Sequence, residues 1–167
     1  PLRTALEAMG DLLETAIRMS DTRIGSLGAP LSSSGTPGET CQASELLCMA
    51  IAEKTDARMV LHGRLSRGKL EAGPISERDL FTLVPYENAI GIAELLPSDL
   101  AVILEEQEQN RKSYVYNGPW GIVVRMDSAK RVTHLEWPDG RPVKPDEKIR
   151  VAMNSYTIAG GGGRFPE

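Results

Sequence analysis

Histidine is scarce in this chain, cysteine is scarce, and there is no excess of basic residues. The two histidines, His62 and His134, sit in no D-x-H or G-x-H-x pattern, so the sequence offers no ready set of imidazole metal ligands. The two cysteines, Cys41 and Cys48, are seven residues apart and lack C-x-x-C spacing. On or just before a helix, that spacing is about two turns, roughly 10 Å along the axis, too far for a disulfide without unwinding. They are expected to be free thiols. A net charge of −4 argues against a protein that grips a nucleic-acid backbone. No apolar run approaches the roughly 20 residues of a membrane-spanning helix. No signal peptide, internal repeat or heptad run is present. The chain starts at Pro1 and stops in a glycine-rich stretch, so it is expected to be a piece of something longer.

What is present suits a globular domain. The 167 residues are 41% hydrophobic and 25% charged, enough for one ordinary core. Leu2–Met19 carries Leu6, Met9, Leu13 and Ile17 at helical spacing, with acidic and basic residues between them. Thr22–Pro30 reads as a strand, Ser32–Gly38 as a flexible loop, Ala43–Lys54 as a second helix, and Ala57–Leu61 as a short buried strand. His62–Gly73 is basic and loop-like, with Arg64, Arg67 and Lys69 close together. Pro97–Gln109 is a third helix, with Pro97 at its first position and Asp99 in its first turn. Ser113–Met126 and Arg131–Trp137 are expected strands, and Pro138-Asp139-Gly140 makes Val132–Val143 a hairpin. Lys148–Met153 is a last strand, leading to the four glycines Gly160–Gly163. Helices and strands mix without regular βαβ alternation. The expected fold is a single α+β domain on a mixed β-sheet with flanking helices.

The most telling segment is Gly73–Gly91, GPISERDLFTLVPYENAIG. It reads as a helical turn at Ser76–Asp79, an apolar strand Leu80–Val84 broken at Pro85, an exposed Tyr86, and a strand resuming over Ala89–Glu94. A proline fixes the backbone and removes a donor, so the ladder is interrupted where a ring is presented.

Taken in order, several segments resemble the C-terminal domain of the 5'-nucleotidase and UDP-sugar hydrolase family. GPISERDLFTLVPYEN and ELLPSDLAVILE match that family's "GxIxxxDLxxVLPFGN" and "xLTGxELxxxLE". WGIVVRMD and WPDGRPVKPDEKIRVAMNSYTIAGGGGRF match the later blocks, and Glu39–Ala50 loosely matches a helix block. The resemblance covers roughly Thr22–Phe165. It implies that residues 1–21 form the helix linking two domains and that residues 22–167 form a substrate-recognition domain. It implies further that catalysis, by two divalent metal ions, belongs to an N-terminal metallophosphoesterase domain absent from this chain. The chain alone is expected to hydrolyse nothing. A periplasmic or extracellular setting is implied in the same way.

In that family two rings sandwich a nucleobase. The resemblance places Tyr86 at the first and Tyr156 at the second, with Asn88 reading a base edge. Arg67 falls where an arginine ends the family's "NGGGIR" loop, a fork suited to phosphate or ribose. The rest of that loop departs, since His62 replaces the asparagine and Gly63-Arg64-Leu65 replace the three glycines. Gly160 and Gly161 keep the first two positions of the family's "GGDG", but Gly162 stands where an aspartate contacts the nucleoside. Loss of such a partner costs about 1–3 kcal/mol. Ser44-Glu45 and Met49 also depart from the family's helix block. Each candidate has a plainer reading: Tyr86 as a cap on a sheet edge, Tyr156 as an inward strand-end ring, Asn88 as a turn former, His62 as a structural histidine. Two functions come first. One is a domain that binds a nucleotide or related phosphoester for a 5'-nucleotidase-like hydrolase. The other is a non-catalytic interaction module that has lost the nucleotide site. An enzyme whose altered loop resets specificity to another phosphoester is a third.

Overall fold

A computed structural model describes residues 2–34, 40–63, 68–113 and 115–163. Helix α1 is Leu2–Ser20 and is followed by strands β1, Arg23–Leu27, and β2, Leu31–Ser32. Helix α2, Gln42–Thr55, leads to β3, Met59–His62. Then come β4, Lys69–Leu70, β5, Gly73–Ser76, and helix α3, Glu77–Leu83. Strand β6 is Ile90–Leu95, and helix α4 is Pro97–Gln109. Strands β7, Gly118–Trp120, β8, Val123–Met126, β9, Val132–Glu136, and β10, Ile149–Asn154, precede the one-turn helix α5, Ser155–Ile158.

The centre is a four-stranded mixed sheet in the order β6-β10-β3-β7, with β10 parallel to β3 and the other pairs antiparallel. Side chains on a strand alternate between faces, and here both faces are covered. Met59, Leu61, Ile149, Val151 and Met153 point to one side, where Leu100 and Leu104 of α4 and Leu135 and Trp137 close the main core. Val60 and Ala152 point to the other, under Cys48 and Ile51 of α2. That two-sided burial explains why ARMVL and IRVAM read as nearly continuous apolar runs.

A smaller cluster of Leu70, Ile75 and Leu83 lies beneath α3 and the two-stranded pairs β1–β5 and β2–β4. The mixed α+β architecture is as the sequence predicts. Two local expectations fail. Leu80–Val84 is helix over most of its length, ending at Leu83, because Ser76 and Asp79 form a full capping box that starts α3. Ser76 donates to the Asp79 carboxylate and accepts from the Asp79 amide at 3.3 Å. The expected strand Ser113–Met126 is two strands. Gly121, with φ +82°, separates them, and a Cβ there would collide with the Arg58 carbonyl. The expected hairpin turn is present: Trp137 N donates to Arg141 O at 2.9 Å, and Glu136 bridges Pro142.

Candidate functional site

Helix α3 delivers the chain to a turn, residues 84–89, in which Val84 N still donates to Leu80 O at 2.9 Å. Pro85 follows, and Tyr86 projects with 60% of its surface exposed. From there the chain enters the edge strand β6. On the neighbouring strand, β10 ends at Asn154, whose Oδ1 accepts from Thr157 N at 2.8 Å and starts α5. Tyr156, the second residue of α5, is 53% exposed. The two turns touch directly. Ser155 N donates to Ala89 O at 2.8 Å, and Ser155 Oγ reaches Asn88 Oδ1 at 3.5 Å. The two tyrosines are thus brought to one end of the central sheet by a backbone bond between their segments.

Helix α5 stops at Gly160, which takes φ +72° and donates its amide to Thr157 O at 3.0 Å. A left-handed residue there favours glycine. Gly162 also has φ +72°. Gly161 is different: it packs on the Tyr156 ring.

His62 ends β3, opposite Gly118 of β7, and is 8% exposed. It lies inside the fold, where it walls two cavities beside α2. One is small, about 50 Å³, with Glu45, Cys48, Tyr116 and Trp120 around it. The other, about 350 Å³, is apolar and lies between α2 and α3, against Leu46, Leu47, Ala50, Leu80 and Leu83. Arg67, Arg64 and Leu65 lie outside the described residues. At the flanking positions, a Cβ on Gly63 would press on Tyr116 O and Asn117 Oδ1, and one on Gly68 would collide with Thr82 O of α3. Both flanks therefore need glycine for close approach to neighbouring backbone.

Sequence reasoning missed a buried polar chain behind α5. Asn117, 1% exposed, accepts from Thr157 Oγ1 at a long 3.5 Å, donates from Nδ2 to Val115 O at 3.1 Å, and donates its amide to Gln107 Oε1 at 2.9 Å. Buried polar groups are costly unless paired, so this chain ties α4, the start of β7 and α5 together. No local pattern announces it, because its members lie far apart in sequence.

Neither cysteine is disulfide-bonded. Burial, and then the negative charge of Glu45, pushes the Cys48 thiol up to about 12, so it stays protonated at neutral pH and is not a nucleophile. The departures in the helix block have local uses. Ser44 closes a capping box with Cys41, and Glu45 accepts from Trp120 Nε1 at 3.0 Å. Met49 is exposed. Among the described residues no group of three or more histidine, cysteine, aspartate or glutamate side chains is placed to hold a metal ion. No helix there is long and apolar enough to cross a membrane.

The profile described as 5'-nucleotidase, C-terminal domain, matches residues 18–167. A probable 5'-nucleotidase of Treponema pallidum (strain Nichols) is 30% identical over 111 residues, 59% of this chain and 19% of that protein. Among solved structures, a 5'-nucleotidase precursor from Thermus thermophilus superposes over 96% of this chain with a TM-score of 0.76 at 18% identity. The NAD nucleotidase of Haemophilus influenzae superposes over 98% with a TM-score of 0.72 at 13% identity. The chain spans 34% and 33% of those two structures. At such identities the superpositions speak for the fold, while the profile match covers most of the sequence. The chain belongs to the 5'-nucleotidase C-terminal domain family.

Proposed function

We propose that this domain is the substrate-recognition part of a 5'-nucleotidase-like phosphoric ester hydrolase in nucleotide breakdown, and that it binds the nucleoside portion between Tyr86 and Tyr156. The observation that carries the reading is the contact of the two tyrosine-bearing turns, Ser155 N to Ala89 O at 2.8 Å. It sets two solvent-facing rings on adjacent segments at one end of the sheet. Stacking needs only a π-face, so a tyrosine in place of phenylalanine keeps it. Asn88 serves as a polar reader beside the rings, and its Oδ1 already meets Ser155. Arg67, which lies outside the described residues, is assigned to the phosphate or ribose on the family pattern alone. His62, buried at the end of β3, supports this end from within.

On the family resemblance, the reading gives the two divalent ions to an N-terminal metallophosphoesterase domain, and no step of the chemistry to this chain. Helix α1 is the linker in this account. Its stripe of Met9, Leu13 and Ile17 is exposed, and the matched structures are about three times longer than this chain. A periplasmic or extracellular location belongs to the same proposal.

Isothermal titration of the chain with adenosine, AMP and UDP-glucose tests it. Binding of at least one, weakened by Tyr86→Ala and by Tyr156→Ala, is expected. No heat at millimolar ligand, from a chain with an intact unfolding transition, contradicts nucleotide recognition and favours the non-catalytic module.

A further inference from the structure

The packed interior stops short between α2 and α3. On the α3 side the small cluster is built on Leu70, Ile75 and Leu83, with Ala43 and Val84 against it. Under α2 the second cluster is built on Cys48, Ile51, Val60 and Ala152, with Leu47 against it. The two clusters share no residue, and the apolar cavity of about 350 Å³ lies between them. Leu83, Ala43 and Val84 wall it from the first cluster, and Leu47 walls it from the second. Leu46 of α2 and Leu80 of α3, 46% and 42% exposed, line it at the surface, so it is reached from solvent. Protein interiors are packed as densely as organic crystals, and a void of this size leaves its lining without partner atoms. What is missing between the two clusters is apolar matter.

We propose that this cavity is a binding site for a small, neutral, apolar molecule, an aromatic bicycle or a hydrocarbon chain of similar bulk, held between α2 and α3. The walls set that class. Among the described residues no lysine, arginine, aspartate or glutamate lines the cavity, and burying an ionised group without a partner is costly. The Ser44 hydroxyl in its wall is engaged at the start of α2, where it accepts from Cys41 N at 3.0 Å and donates to Cys41 O at 2.9 Å. An occupant therefore gains from apolar contact more than from hydrogen bonds. Size follows from volume. A cavity of about 150 Å³ lined by apolar side chains takes one benzene ring. At about 350 Å³ this one has room for two fused rings. Its roof is Leu80, Leu83 and Val84, the segment that runs directly into Pro85 and Tyr86. Filling the cavity stiffens that segment from below. Neither tyrosine lines it, so the proposal does not rest on the nucleoside-binding reading.

Naphthalene and toluene, each titrated below its solubility limit and followed by NMR of the methyl-labelled chain, test the site. Saturable shifts at the methyl groups of Leu47, Leu83 and Val84 are expected. Naphthalene should bind about tenfold more tightly than toluene, because it fills more of the volume. With naphthalene saturating, the amides of residues 80–84 should exchange severalfold more slowly, while those of β8 stay unchanged. Ala43→Leu places a larger side chain in the cavity and should abolish naphthalene binding with the thermal midpoint held or raised, leucine being a good helix former. Should that variant fail to fold, Ala50→Phe fills the space from α2 and carries the same expectation. No saturable shift, or equal affinity for the two hydrocarbons, overturns the site. Saturable shifts that fall away from α2 and α3, or undiminished naphthalene binding in folded Ala43→Leu and Ala50→Phe, overturn it equally.

Discussion

The two tyrosine-bearing turns reach the same end of the sheet by opposite means. Tyr156 sits on a capped helical turn that continues β10, a strand buried on both faces in the main core. A glycine lies against its ring and a buried amide supports the next residue. Tyr86 follows a proline on a turn that leaves α3, whose deep anchor is Leu83 in the small cluster with Leu70 and Ile75. One ring is pre-set and the other hangs from a lightly anchored segment. In the site proposed above, the Tyr156 wall is the better anchored and the Tyr86 wall the freer to adjust.

That contrast can be broken at several strengths. The largest effect is expected in the core that founds the Tyr156 side. Leu100 is fully buried, and Leu100→Ala should cost about 2–5 kcal/mol in chemical denaturation, against a smaller loss for Leu83→Ala beneath the Tyr86 turn. Hydrogen exchange should agree, with amides at 84–89 opening faster than those of β10. Next come the rings themselves. Tyr156→Ala and Tyr86→Ala should each weaken adenosine by about 1–3 kcal/mol, with the larger loss at the pre-set ring. Asn154→Ala removes the α5 cap and should cost about 1 kcal/mol of stability, while lowering affinity at the Tyr156 wall.

Acidification gives a gentler separation. Arg141 holds the Glu147 carboxyl down to about 2, helped by the Lys144 amide and Trp137. Trp137 Nε1 donates to Glu147 Oε1 at 3.2 Å, and the Arg58 guanidinium lies 3.7 Å over the indole. Hydrogen bonds from Ser76 lower Asp79 in the α3 cap, and Arg131 lowers Glu105. Carboxyls lowered in the fold contribute stability that is full above their ordinary values and is lost as pH falls. For Glu147 the window runs from 4.5 down to about 2. Glu147→Gln should flatten the acid limb of the thermal midpoint in that window, and Asp79→Asn should loosen α3 without touching α5.

Much of this fold is legible in the sequence where one local rule acts alone. Pro97–Gln109 is helix at the expected bounds, and β10 follows a plain apolar run. The α3 segment is misread because DLFTLV satisfies a strand's composition, while the S-x-x-D cap that decides for helix depends on two side chains meeting. The break at Gly121 depends on the Arg58 carbonyl, far back on the chain. Of the candidate site, the tyrosine pair and Asn88 are legible through the family pattern. The polar support behind it is not: Asn117, Gln107 and Thr157 look like ordinary loop and helix polar residues until tertiary folding pairs them. The seating of Gly161 on Tyr156 is of the same kind, since a glycine run announces conformational freedom and not a contact.

The central claim is that one planar ligand is held by both tyrosines. It is tested most directly by nuclear Overhauser contacts from adenosine to the tyrosine rings of the specifically labelled chain. Contacts from the adenine protons to both Tyr86 and Tyr156 are the predicted result. Contacts to neither ring in a chain that remains folded would contradict it.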